Sequence, residues 1–273
     1  MLAVLIVVSG VLGLVFGSFL NVVIWRVPRG ESVVSPASAC PRCGHEIRWY
    51  DNVPIVSWIV LRGRCRDCGA PVSPRYLVVE AVTGAAFALV TTWWFLDRLP
   101  AHASVVAAVV ELVAFLYLVA VSIALTAIDL DVFRLPNAIV LPSYAVLAVL
   151  LGAAALADGD AGAALRALIG GAALFAFYFL IAFIYPSGMG FGDVKLAGVL
   201  GLALAWVSWG ALAVGAFAAF LLGGVFGVVL LLVRRAGRKS RIPFGPWMLG
   251  GAWIGIVVGD RVAAWYLALF GLV

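Results

Sequence analysis

The chain is 273 residues long, 65% hydrophobic and 11% charged, with a mean hydropathy of +1.17. Soluble globular domains carry about 25% charged residues, so this composition excludes one or two water-soluble domains and indicates a polytopic protein in a lipid bilayer. The net charge of +5 does not indicate a nucleic-acid partner, because the basic residues stand in loops between apolar runs, as the positive-inside bias requires.

The first apolar run, Leu2 to Ile24, has no Lys or Arg before it and no small-residue cleavage site after it. It is therefore expected to be a retained span rather than a removed signal peptide. With about 20 residues per span, further apolar helices are expected near 77–96, 104–127, 138–157, 163–185, 194–209 and 211–233. A last apolar region, 246–273, is interrupted by Asp260 and Arg261. It reads either as one tilted span with a tail or as one span followed by an interfacial helix. The expected fold is all-α: a polytopic membrane helix bundle of about eight transmembrane helices, with a small cytoplasmic zinc-binding loop between the first two. The expected divisions are a first transmembrane helix at 1–25, a four-cysteine loop at 26–76 and a multi-span catalytic membrane domain at 77–273.

Charge sets the expected orientation. With the N-terminus outside and the first loop in the cytoplasm, alternation also places the connections near 128–137, 186–195 and 234–245 inside. Fifteen of the eighteen basic residues then fall inside, leaving only Arg98, Arg166 and Arg261 outside. A wrong span count would scramble that segregation.

The 26–76 loop holds all four cysteines, as Cys40-Pro41-Arg42-Cys43 and Cys65-Arg66-Asp67-Cys68 with 21 residues between the pairs. Two C-x2-C knuckles present four thiolates in the tetrahedral arrangement zinc prefers. Two disulfides or a redox pair are the alternatives. A cytoplasmic loop disfavours stable disulfides, and a redox motif has no need of doubling. Four protein ligands leave no open position, so the metal is structural rather than catalytic.

Two short polar passages interrupt the apolar second half, one running from Ala127 to Asn137 and the other from Gly188 to Lys195. Each places an aspartate, Asp129 or Asp193, at the edge of a hydrophobic run, where a carboxylate is expensive unless solvated, paired or used. Taken singly, Asp193 reads equally as a helix N-cap and Asp129 as a loop-solvating residue. Taken together they read as the two halves of an aspartyl protease site, on one side of the membrane. Two such carboxylates share a proton: one activates water and the other donates to the scissile carbonyl. Helix ends favour Asp193, at an N-terminus, as the anion and Asp129, at a C-terminus, as the acid. Asp131 is the rival to Asp129. Glu111 reads as a packing or cavity residue, and His45 and His102 are too isolated in sequence to build a triad. No G-x-S-x-G motif is present, and the glycines at 188, 190 and 192 lack the strand context of a phosphate-binding loop.

The ordered series of motifs resembles the bacterial type IV prepilin peptidases, membrane aspartyl proteases of the GxGD class. It runs from Gly17-Ser18-Phe19-Leu20-Asn21-Val22-Val23 with Arg26 and Pro28, through both cysteine pairs and Asn52-Val53-Pro54. Arg75-Tyr76-Leu77-Val78-Val79-Glu80, the two aspartate passages and Ile242-Pro243-Phe244-Gly245-Pro246 complete it. The resemblance implies cleavage of the basic leader of prepilins and pseudopilins at the cytoplasmic face of the bacterial inner membrane, after a glycine, with Asp129 and Asp193 as the catalytic pair. It also implies methylation of the new N-terminal amine with S-adenosylmethionine, because family members with the large cysteine loop carry that second activity. No Rossmann-type fingerprint is present; the matched motifs point instead to the polar set Asn21, Arg26, Asn52, Arg75 and Glu80. Gly190, Gly192 and Lys195 are expected to form the substrate loop, the glycines leaving room for an extended backbone to approach Asp193.

Two readings from other classes remain open on the residues alone. One is a proton- or ion-coupled transporter with Asp129, Asp193 and Glu111 along a polar path. The other is a non-catalytic scaffold for pilus or secretion assembly that uses the zinc loop for docking.

Overall fold

The structure, a computed structural model, describes residues 2–186, 188–233 and 243–271. Among them the regular secondary structure is helical, with no strand beyond two isolated bridges, and the cysteine-bearing segment is mostly turns. In chain order the helices are α1 (Leu2–Arg26), α2 (Val56–Val60), α3 (Pro74–Trp93), α4 (Val105–Val132), α5 (Asn137–Asp158), α6 (Ala161–Ile184), α7 (Phe191–Val207), α8 (Trp209–Leu232) and α9 (Gly245–Ala268). All but the five-residue α2 match the eight apolar runs read from the sequence. Six of these helices are long and apolar enough to cross a membrane by length and composition. The last apolar region forms one helix that continues straight through Asp260 and Arg261. The basic run from Arg234 to Arg241 lies outside the described residues.

The helices begin where a side-chain oxygen meets an orphan amide. Ser73, Ser104, Asp160 and Ser208 each accept a backbone N–H of the helix that follows, and Pro74 takes the first position of α3. The helix α4 runs five residues past the expected end at 127. It stops where Phe133 turns left-handed at φ 53° and donates its N–H to the Asp129 carbonyl. Asp129 is therefore inside the last helical turn rather than in the loop after it.

The chain divides into two compact units: residues 1–101 with 115–127, and residues 102–114 with 128–273. In the first, α1 packs along α3. The backbones approach so closely that a β-carbon at Gly17 would stand 2.7 Å from the Glu80 Cα. The Ser9 and Thr91 hydroxyls bond across the same seam at 2.6 Å.

The second unit is organised around α7, which packs against α5, α6, α8 and α9. From Leu196 to Trp206 every residue of α7 is buried, as expected of a helix apolar on all faces. At the seam with α6, a β-carbon on Gly201 would stand 2.4 Å from the Gly170 carbonyl oxygen. Small residues here let two backbones meet, the usual device where lipid offers no hydrophobic drive between helices. Arg166 on α6 donates to the carbonyls of Ala205 and Trp206 at 2.6 and 2.7 Å, satisfying the C-terminal end of α7.

Candidate active site

Asp129 is 5% exposed. Its Oδ2 accepts the N–H of Gly245, the first residue of α9, at 3.0 Å. The preceding Phe244 packs with Phe220 and Tyr178, ring centroids 5.5 and 6.4 Å away, which fixes where α9 begins. Asp193 is the third residue of α7. Its Oδ2 accepts the Gly190 N–H at 3.1 Å, while its own N–H donates to the Gly190 carbonyl at 3.0 Å. The two carboxylates lie near enough to interact electrostatically.

Leu135, in the passage that carries Asp129, packs against Gly192 beside Asp193 and against Gly245. A β-carbon at Gly192 would meet the Leu135 Cβ at 3.1 Å; one at Gly245 would meet the Asp129 Oδ2 at 2.8 Å and the Leu135 Cδ2 at 3.1 Å. The room left by Gly192 is thus filled by the chain's own leucine. Lys195 turns onto Asn137, its Nζ donating to Oδ1 at 2.9 Å. Asp131, the rival carboxylate, is exposed.

One expectation changes. The sequence sets Asp129 at a helix C-terminus, but the fold brings the N-terminus of α9 in front of its carboxylate. Both aspartates accept an N–H from a helix N-terminus, while Asp129 also keeps its place in the last turn of α4, so the helix ends no longer assign acid and base by themselves. What persists is a pair of interacting carboxylates, able to share a proton and divide water activation and carbonyl protonation between them.

In the first unit the four Sγ atoms of Cys40, Cys43, Cys65 and Cys68 lie within 4.8 Å of one another and could hold a metal ion. Both pairs fold alike. Cys40 N–H donates to the His45 carbonyl and Gly44 N–H to the Cys40 carbonyl, and Cys65, Ala70 and Gly69 repeat the pattern, with Gly44 and Gly69 at φ 73° and 67°. Backbone N–H groups of Cys43 and Arg42 pull the Cys40 thiol down to about 6, favouring thiolate. Arg66 binds Asp51 through two nitrogens, and Arg48 pairs with Asp67 at 2.9 Å.

The fold gathers part of the expected polar set. Buried Glu80 accepts the Ile55 N–H at 2.7 Å, Ser18 donates to Asn52 at 3.4 Å, and Asn21 donates to the Tyr76 carbonyl at 3.2 Å. Arg75 reaches the Ala127 carbonyl at 3.4 Å. Arg26 turns away to the carbonyls of Ser32 and Pro36. Ile55 itself has φ 63° and ψ −52°, a γ-turn that is strained for a β-branched residue.

Two family models match the chain. Residues 11–95 match the bacterial peptidase A24 N-terminal domain, and residues 116–232 match the type IV leader peptidase family. A prepilin leader peptidase/N-methyltransferase of Aeromonas hydrophila is 36% identical over 94% of this chain and 92% of its own length. Those of Pseudomonas aeruginosa and Neisseria gonorrhoeae are 34% and 33% identical, each over 95% of this chain and 92% and 93% of their own lengths. The chain belongs to the type IV leader peptidase family. No solved structure matches it significantly.

The leader peptidase match contains both aspartates but stops short of Gly245, the backbone partner of Asp129. Sequence reasoning treated that glycine only as part of a tail motif, and the proline-flanked helix start was the signal available. A second miss is His102. Far from isolated, it bonds Glu111 through Nε2 at 2.8 Å and Asp158 through Nδ1, while Trp206 Nε1 donates to the other Glu111 oxygen at 2.6 Å. Glu111 is fully buried. Burial opposes charge on His102, but the two carboxylates outweigh it and hold its pKa above the ordinary value.

Proposed function

We propose that this leader peptidase hydrolyses the leader of type IV prepilins and pseudopilins with Asp129 and Asp193 as its catalytic pair. The observation that carries the reading is that both lie in one unit, near enough to interact, each held by a helix-terminal backbone N–H, with Leu135 of the Asp129 passage packed on Gly192 of the other. One carboxylate takes a proton from water as it attacks the scissile carbonyl, and its protonated partner donates to the carbonyl oxygen. Of the expected substrate loop, only Gly190, the cap of α7, lies outside the helix, and the substrate backbone would pass Asp193 there; Gly192 and Lys195 belong to the first turns of α7, packed on Leu135 and bonded to Asn137.

The new N-terminal amine is then methylated. S-adenosylmethionine would supply the methyl group, and Glu80, with Asn52, Asn21 and Arg75 nearby, would hold the donor and the amine. The strained Ile55 turn, pinned to Glu80, supports placing that chemistry there. The four cysteines suit structural zinc: a tetrahedron with Zn–S bonds of about 2.3 Å has edges of about 3.8 Å, and the Cys40 and Cys68 sulfurs stand 3.8 Å apart. The distribution of basic residues supports an N-terminus outside and aspartates at the cytoplasmic face of the inner membrane.

The test is purified protein in detergent with a prepilin peptide, read by mass spectrometry with and without S-adenosylmethionine. Wild type should remove the leader, and add one methyl group only when the donor is present. Asp129→Asn and Asp193→Asn should each abolish leader removal. Cleavage retained in Asp129→Asn and lost in Asp131→Asn would move the catalytic role by two residues.

A further inference from the structure

We propose that Asn137 and Tyr144 are positioning residues that clamp the Asp193 turn in place relative to Asp129; the proposal rests on the aspartate-pair reading above. The two lie seven residues apart on α5, two turns along one face. Both converge on Lys195, two residues beyond Asp193. Asn137 Oδ1 accepts the Lys195 Nζ at 2.9 Å, and the same ammonium lies 4.8 Å from the centre of the Phe191 ring. The Tyr144 hydroxyl donates to the Lys195 carbonyl at 2.6 Å. That hydroxyl occupies the space a side chain at Gly198 would need, 2.1 Å from the β-carbon position.

Lys195 is therefore held at its side chain and at its backbone, from one helix. That helix begins eight residues after Asp129, and the connection carries Leu135, which touches Gly192. A displacement of α5 against the first turn of α7 would change the spacing of the two carboxylates directly. Catalysis tolerates little of that, since a misplacement of about 1 Å can reduce rate about 100-fold.

The test compares Asn137→Ala, Asn137→Asp and Tyr144→Phe in detergent, measuring kcat, KM and the pH profile of prepilin-peptide cleavage, with melting temperature alongside. Asn137→Ala should lower kcat by about 10- to 100-fold with KM within about twofold. Its bell-shaped pH profile should narrow, because carboxylates moved apart couple less strongly and their two apparent pKa values converge. Asn137→Asp keeps the acceptor for Lys195 and should recover most of the rate. Tyr144→Phe, which loses only a hydroxyl, should lower kcat in the same sense and serves if Asn137→Ala does not fold.

Unchanged kcat and profile width in both Asn137→Ala and Tyr144→Phe would overturn the proposal. So would an effect confined to KM, which would make Asn137 a substrate contact, or a rate loss that tracks melting temperature alone. Failure of the aspartate-pair reading shows separately, as cleavage surviving in Asp129→Asn or Asp193→Asn.

Discussion

At Gly245 one missing side chain allows a backbone N–H to reach a buried carboxylate. Adding a methyl group would put carbon 2.8 Å from the Asp129 Oδ2 and 3.1 Å from Leu135, so the aspartate must move or the helix start must shift. Gly245→Ala is expected to lower kcat for leader cleavage about 10- to 100-fold while the protein still folds; steady-state kinetics beside a melting curve checks this. Rates within twofold of wild type would mean the contact is not used. The aspartates were legible because a carboxylate bordering an apolar run stands out in a sequence. Gly245, Leu135 and Asn137 were not, because what they do depends on contacts with residues 57 to 116 positions away. The helix-end assignment of acid and base was incomplete for the same reason: the second helix end at Asp129, that of α9, is remote in the chain.

Among the elements, the two cysteine knuckles were the most legible, since each is a local turn whose hydrogen bonds close within six residues. Replacing any one cysteine by serine should release bound zinc and loosen the loop, read as metal content and as faster proteolysis between residues 30 and 73. A zinc-free wild type purified without chelator would contradict the assignment. The His102 cluster was illegible because its members come from the start of α4, the end of α5 and the end of α7. With a carboxylate at each ring nitrogen, the surroundings of His102 favour the imidazolium, the form that donates from both. Its raised pKa means that the stabilisation is complete below the ordinary value of about 6.5 and is lost as pH rises through the higher folded value. Thermal stability in detergent should therefore decline above about pH 6.5, and His102→Ala should flatten that decline. The substitution strips a partner from fully buried Glu111, a change that costs about 3–5 kcal/mol in buried pairs. An unchanged pH dependence in the variant would remove His102 from this role.

For the whole molecule, the eight apolar runs each form a long helix among the described residues, and six of these are long and apolar enough to cross a bilayer, a length that a sequence displays directly. Which helices pair was hidden, since small residues recur on many faces and only coordinates show that α6 and α7, or α8 and α9, match. The orientation proposed above rests on the charge distribution. Reporter fusions after residue 30 should read cytoplasmic and after residue 160 external; the reverse would invert the account. The pairing of Asp129 with Asp193 is tested most directly by single-turnover cleavage of a prepilin peptide by the two Asp→Asn variants and by the double variant. Residues that act as one unit lose nearly everything on the first substitution, so each single variant should fall to the level of the double. A single variant retaining a tenth or more of the wild-type rate, or losses that multiply in the double, would contradict a shared site.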